Sequence, residues 1–102
     1  MKIHTLKTVN PFFNLACQDL KNWELRKNDR DYSVGDWIIS REYSPEIDKY
    51  SPHFLCGRIE FILEKFLGLQ EGYCILTIRY FERDFDIPKL VQNEIEKLGY
   101  EL

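Results

Sequence analysis

Apolar side chains recur along this chain at two spacings, and the points where one spacing replaces the other mark the expected elements. Residues 4–9 form a short mixed run that stops at Asn10-Pro11. Asn is favoured just before a helix and Pro suits its first position, so a helix begins there, with Phe12, Leu15, Ala16 and Leu20 as one apolar stripe over about three turns. Residues 22–27 then read as a strand. Alternation puts Asn22, Glu24 and Arg26 on one face and Trp23 and Leu25 on the other, with the apolar pair expected in the core. A polar turn at 28–31 and the pair Gly35-Asp36 lead into a β-rich run at 37–43, which Ser44-Pro45 stops. Residues 44–52, with two prolines, read as a surface loop or loose hairpin connection. The next strand is 54–63, with Gly57 as a bulge, and 67–72 is a turn. Residues 73–81 are the most strand-like run, apolar on both faces and hence central. Asp86 opens a last helix, in which Ile87, Leu90, Val91, Ile95 and Leu98 recur at helical spacing up to Gly99. The order β-α-β-β-β-β-α suits an α+β domain, a small curled sheet or barrel with a helix packed on it.

Length and composition narrow this further. A chain of 102 residues is one domain, and 44% hydrophobic with 15% aromatic content is enough for a core without staples. The formal net charge of -3 excludes a protein that coats nucleic acid nonspecifically, so any such site must be local. Cys17, Cys56 and Cys74 are odd in number, widely spaced and set in apolar runs, which points to reduced, buried thiols. The N-terminus lacks the apolar core of a secretory signal, and no apolar run approaches the roughly 20 residues that cross a bilayer. A cytoplasmic, soluble protein with no membrane partner is expected. His4 and His53 stand apart from any Cys or carboxylate at zinc-ligand spacing, and the glycines are too scattered for a phosphate loop. Neither a metal nor a cofactor is therefore expected.

The chemistry concentrates in residues 21–31. Lys21, Arg26, Lys27 and Arg30 can hold phosphate, Arg through a planar fork and Lys as a point charge. Trp23, Tyr32, Trp37 and Tyr43 offer stacking surfaces for unpaired bases. Glu24, with Asn22 and Arg26 on its face, would accept hydrogen bonds from a base edge. The interleaved Glu24, Asp29 and Asp31 leave a second reading open, a solvated charged face in which Glu24 pairs with Lys21 or Arg26 and merely shapes one end of a barrel.

The spacing Lys21, Glu24, Arg26 ahead of Gly35-Asp36 resembles the G-x-K-x-x-E-x-R signature of the ASCH domains, in the PUA-like β-barrel superfamily, whose members mostly bind RNA. With Asn28-Asp29-Arg30, Arg41-Glu42-Tyr43, Ile62-Leu63 and the run 72–76, residues 1–80 are similar to a small phage and bacterial domain-of-unknown-function family of the 3850 type, grouped with those folds. The resemblance implies a PUA-like barrel of about five strands with a helix in its N-terminal half, and a cleft lined by the signature strand. RNA or a nucleotide is the implied ligand, held by Lys21, Asn22, Trp23, Glu24, Arg26, Arg30 and Tyr43. Some ASCH-like proteins are instead amidohydrolases that deacetylate a modified cytidine through a lysine, a threonine and a distant glutamate. Lys21 matches that lysine, whereas the threonine position holds Glu24 and the family's leading glycine is Asp19 or Leu20. A phage-type protein-interaction factor is a third reading. The C-terminal helix, 86–98, lies outside the resemblance and is expected to cap the barrel or mediate dimerisation.

Overall fold

The computed structural model describes residues 1–81 and 86–101. Strand β1 (Ile3–Thr8) is followed by helix α1 (Phe12–Cys17), strands β2 (Trp23–Lys27), β3 (Trp37–Ser44), β4 (Lys49–Glu64) and β5 (Tyr73–Phe81), and helix α2 (Lys89–Lys97). This is the expected order of elements. The strands form one mixed sheet in the order β1-β3-β4-β5-β2, with β1 parallel to β3 and every other pair antiparallel. It curls into a half-barrel, so that β1 and β2, the two edge strands, approach each other.

Each face of the curl has its own core. Leu6, Tyr32, Ile38, Ile59, Cys74, Leu76 and Ile78 fill the inside. Outside, α2 lays Val91 and Ile95, joined by Ile87 and Tyr100, on Trp37, Ile39 and Cys56. Alternation along β3 produces this division, since Ile38 belongs to one cluster and Trp37 and Ile39 to the other. Asp36 closes the base of the barrel. Its carboxylate accepts the Lys2 N–H at 3.0 Å, the Ser33 N–H at 3.0 Å and a hydrogen bond from His4 Nε2 at 2.9 Å. Burial pushes the Asp36 carboxyl up, but the bonds from His4, Lys2 and Ser33 together outweigh it and hold the group below the usual carboxylate range. An ionised carboxylate only accepts, so His4 Nε2 carries the hydrogen.

Several local expectations need correction. α1 has six residues, not three turns, and it buries Phe13 and Ala16, while Phe12 and Leu20 are exposed. Residues 49–52 belong to β4, so the region read as a loop is mostly hairpin strand around a short turn. Gly57 keeps regular register with Ile38 and Tyr80, and the irregularities lie at Arg41/Tyr43 and Ile59/Phe61 instead. A Cβ on Gly57 would collide with Ile78 Cγ2, so the glycine serves close packing and not a bulge. β5 is interior, but β4 is the middle strand. α2 starts at Lys89 behind Pro88, and its Leu90 is exposed. Cys56 and Cys74 are buried free thiols, as expected, while Cys17 is exposed. No helix among the described residues is long and apolar enough to cross a membrane.

A candidate ligand hollow beside the barrel seam

The charged strand sits the other way round from its sequence expectation. Glu24 is buried in the barrel at 6% exposure, and Trp23 and Leu25 on the opposite face are about half exposed, at 46% and 52%. Lys21, which precedes the strand, is buried as well, at 5%. Its Nζ donates to Glu24 Oε1 at 3.0 Å, and Arg26 Nε lies 3.5 Å from Glu24 Oε2. The inversion has an electrostatic reason. A buried carboxylate is tolerated when cations flank it, and here one stands at each oxygen.

The arginines also span the gap between the edge strands. Arg26 Nη2 donates to Lys7 O at 3.1 Å, and Arg30 Nη1 donates to Thr5 O at 2.6 Å. Both carbonyls lie on the edge of β1 that no strand covers, so two guanidinium groups clasp the seam where a backbone ladder would otherwise run. Arg30 is thereby committed to the fold and is not a lining residue of the hollow.

Beside this seam lies an open hollow of about 370 Å³. Lys21, Glu24 and Arg26 line it together with Lys7, Thr8, Val9, Phe12, Trp23 and Leu25. Three cations and one carboxylate thus line the hollow, a local positive balance in an acidic chain. The Lys21 ammonium stands 4.9 Å from the Trp23 ring centre and 5.8 Å from that of Phe12, so two aromatic faces accompany the charged cluster. Of the expected site residues, Lys21, Trp23, Glu24 and Arg26 come together here. Asn22 instead lines a separate hollow, also of about 370 Å³, with Thr77 and Arg79. Tyr43 lines a separate hollow of about 440 Å³ with Asn10 and Ile47, although Lys7 Nζ lies 4.2 Å over its ring.

Lys7, Thr8 and Phe12 escaped the sequence reading, as did a layer of hydroxyls on the inner face. Thr8 Oγ1 is buried without a hydrogen-bond partner among the described residues, the Ser40 and Tyr80 hydroxyls face each other, and Arg26 Nε has only the long approach to Glu24 Oε2. Burial pushes the Tyr80 phenol well above its ordinary range, and the Glu24 carboxylate adds to the rise. The alternation of His4, Leu6 and Thr8 in β1 was the available signal, because it places Thr8 on the inner face.

A smaller hollow of about 310 Å³ brings Cys17, His53 and Glu42 together, an approach that sequence gave no reason to expect. Burial and the Glu42 carboxylate both raise the Cys17 thiol above its ordinary value, the reverse of what a nucleophile needs. Among the described residues no group of three His, Cys, Asp or Glu side chains is placed to hold a metal ion.

The model of a domain of unknown function, DUF3850, matches residues 3–78. The chain belongs to this family. The match takes in β1 to β4, most of β5 and every residue that lines the hollow, and it stops short of α2. No curated protein matches the sequence.

Proposed function

We propose that this DUF3850 domain is a noncatalytic module of PUA-like type that binds RNA or a nucleotide in the hollow beside the seam. One observation carries the reading: the buried Lys21–Glu24 pair, with half-buried Arg26 beside it, lines an aromatic-rimmed hollow in which three cations accompany one carboxylate. A base stacks on Trp23, with Phe12 nearby, and a phosphate lies toward Lys7 and Arg26. Glu24 accepts from the base edge with the lone pairs that Lys21 and Arg26 leave free. The Thr8 hydroxyl, without a hydrogen-bond partner among the described residues, supplies a further polar contact, which buried groups rarely forgo without a ligand or water to take it up.

The test uses rim residues that the fold does not depend on. Titrating fluorescent single-stranded RNA and mononucleotides against wild type, Trp23→Ala and Lys7→Ala should show affinity falling about tenfold in the tryptophan variant, since stacking is worth roughly 1–3 kcal/mol per base. Equal affinity in all three proteins would remove the hollow as the site.

The buried amine–carboxylate pair at 3.0 Å supports a second reading, an amidohydrolase acting on acetylated cytidine with Lys21 as the catalytic group. Incubation with that nucleoside decides it, because absence of acetate release eliminates the reading while leaving the binding module intact.

A further inference from the structure

The outer face of the half-barrel, away from the hollow, carries an arrangement that the ligand site does not use. Arg58 on β4 and Arg79 on β5 are directly opposed in the ladder, so their side chains leave the same face, and both are exposed. Like charges opposite one another in a sheet destabilise it. Sheets usually relieve such a pair with a carboxylate, yet among the described residues neither arginine has an ion-pair partner. Glu60 and Asp19 line a hollow with Arg79 without an ion pair to it, and the Arg79 guanidinium lies 5.2 Å from the Phe81 ring centre.

The neighbouring row of the same face is aromatic. Thr77 pairs with Trp23 on one side and Phe61 on the other, so the three residues form a line across β2, β5 and β4. Phe61 is 57% exposed and Trp23 46%. Strand spacing puts their backbones roughly 10 Å apart. α2 covers the other end of the face, over Trp37, Ile39 and Cys56, and leaves this row open.

We propose that this face is a second contact surface for single-stranded nucleic acid, in which Phe61 and Trp23 stack bases and the opposed Arg58 and Arg79 hold the backbone phosphates. The inference rests on the ligand class proposed above but uses residues outside the hollow, Trp23 excepted, which stands at the boundary of both. Two features select this partner. An anion can be shared by two exposed arginines that leave the same face of the ladder, and two exposed rings at separate positions suit successive π faces better than a single point of attachment. A strand entering the hollow past Trp23 would continue over the sheet.

The experiment compares an eight-residue oligouridine with uridine monophosphate on wild type, Arg58→Gln/Arg79→Gln and Phe61→Ser. The arginine variant should bind the oligonucleotide at least tenfold more weakly. Its log–log salt slope should be shallower by about 1.4, the value for two lost phosphate contacts on a single strand. Phe61→Ser should weaken the oligonucleotide too, and monophosphate binding should be unchanged in both variants. Oligonucleotide affinity and salt slope equal to wild type would overturn the proposal even where the monophosphate binds normally. Conversely, arginine-dependent oligonucleotide binding with no monophosphate binding would support this face and remove the hollow. A polyglutamate peptide that competes as well as oligouridine would assign the face to an acidic protein segment and overturn the nucleic-acid assignment. The thermal midpoint of the arginine variant should stay level or rise as repulsion is relieved. A fall of several degrees would give the pair a structural role and count against the proposal.

Discussion

With Lys21 on one carboxylate oxygen and Arg26 beside the other, Glu24 is a residue for which deletion and neutralisation have different consequences. Glu24→Ala leaves a buried ammonium facing no anion, a loss that costs about 3–5 kcal/mol when one partner of a buried pair is removed. Glu24→Gln keeps an oxygen for Lys21 to donate to and should cost less than half as much. Urea unfolding of the two variants measures the difference, and equal losses would mean that side-chain volume, not charge, sets the stability there. The Lys-x-x-Glu-x-Arg cluster was legible in the sequence, and so was the sharing of a face by Glu24 and Arg26. Which face turns inward was not. Apolar side chains normally claim the interior, but this end of the barrel has a polar layer of Thr8, Ser40 and Tyr80 from three other strands, which no local window contains. Trp23 and Leu25 are left half exposed as a result.

Order and number of elements could be read from period and turn residues, since each strand or helix reports its own pattern. Contacts between distant elements could not. The two prolines that suggested a loop illustrate the difference. Pro45 does stop β3, yet Pro52 lies within β4, where the register shifts between Arg41 and Tyr43 and the ladder is interrupted, so its missing N–H goes unnoticed. The seam is the stronger case, because the partners of Arg26 and Arg30 are backbone carbonyls of a strand that precedes them by about twenty residues. Reassigning Arg30 from phosphate contact to clasp has a direct consequence. Arg30→Ala should speed amide exchange in β1 and β2 and cost about 1 kcal/mol, an ordinary net hydrogen-bond contribution for an exposed group, while RNA affinity stays level. A fall in affinity matching that of Trp23→Ala, with exchange unchanged, would return Arg30 to the ligand.

At the scale of the whole molecule the question is what α2 is for, since the family match ends at residue 78 and the helix begins at Lys89. An appendage would bury little. Instead Ile95 and Val91 are fully buried, and they complete the outer core over Trp37, Ile39 and Cys56. Those three alternate along β3 and β4 with residues of the inner core, so the two cores share the same backbone. Burial pushes the Cys56 thiol up to about 12, consistent with a dry outer layer. Loss of helix contacts should therefore be felt through the sheet and across to the hollow. Ile95→Ala should cost about 2–5 kcal/mol, a large share of a total that is typically about 5–15 kcal/mol for a domain. Because the cores are joined, unfolding should remain a single transition at a lower denaturant midpoint. In a Trp23→Phe background Trp37 becomes the lone tryptophan and reports the outer core by fluorescence, while far-ultraviolet dichroism reports the sheet and helices together. Coincident curves from the two probes support one cooperative unit. If the fluorescence change precedes the loss of sheet signal, α2 docks and undocks on its own, and the barrel with its hollow stands without it.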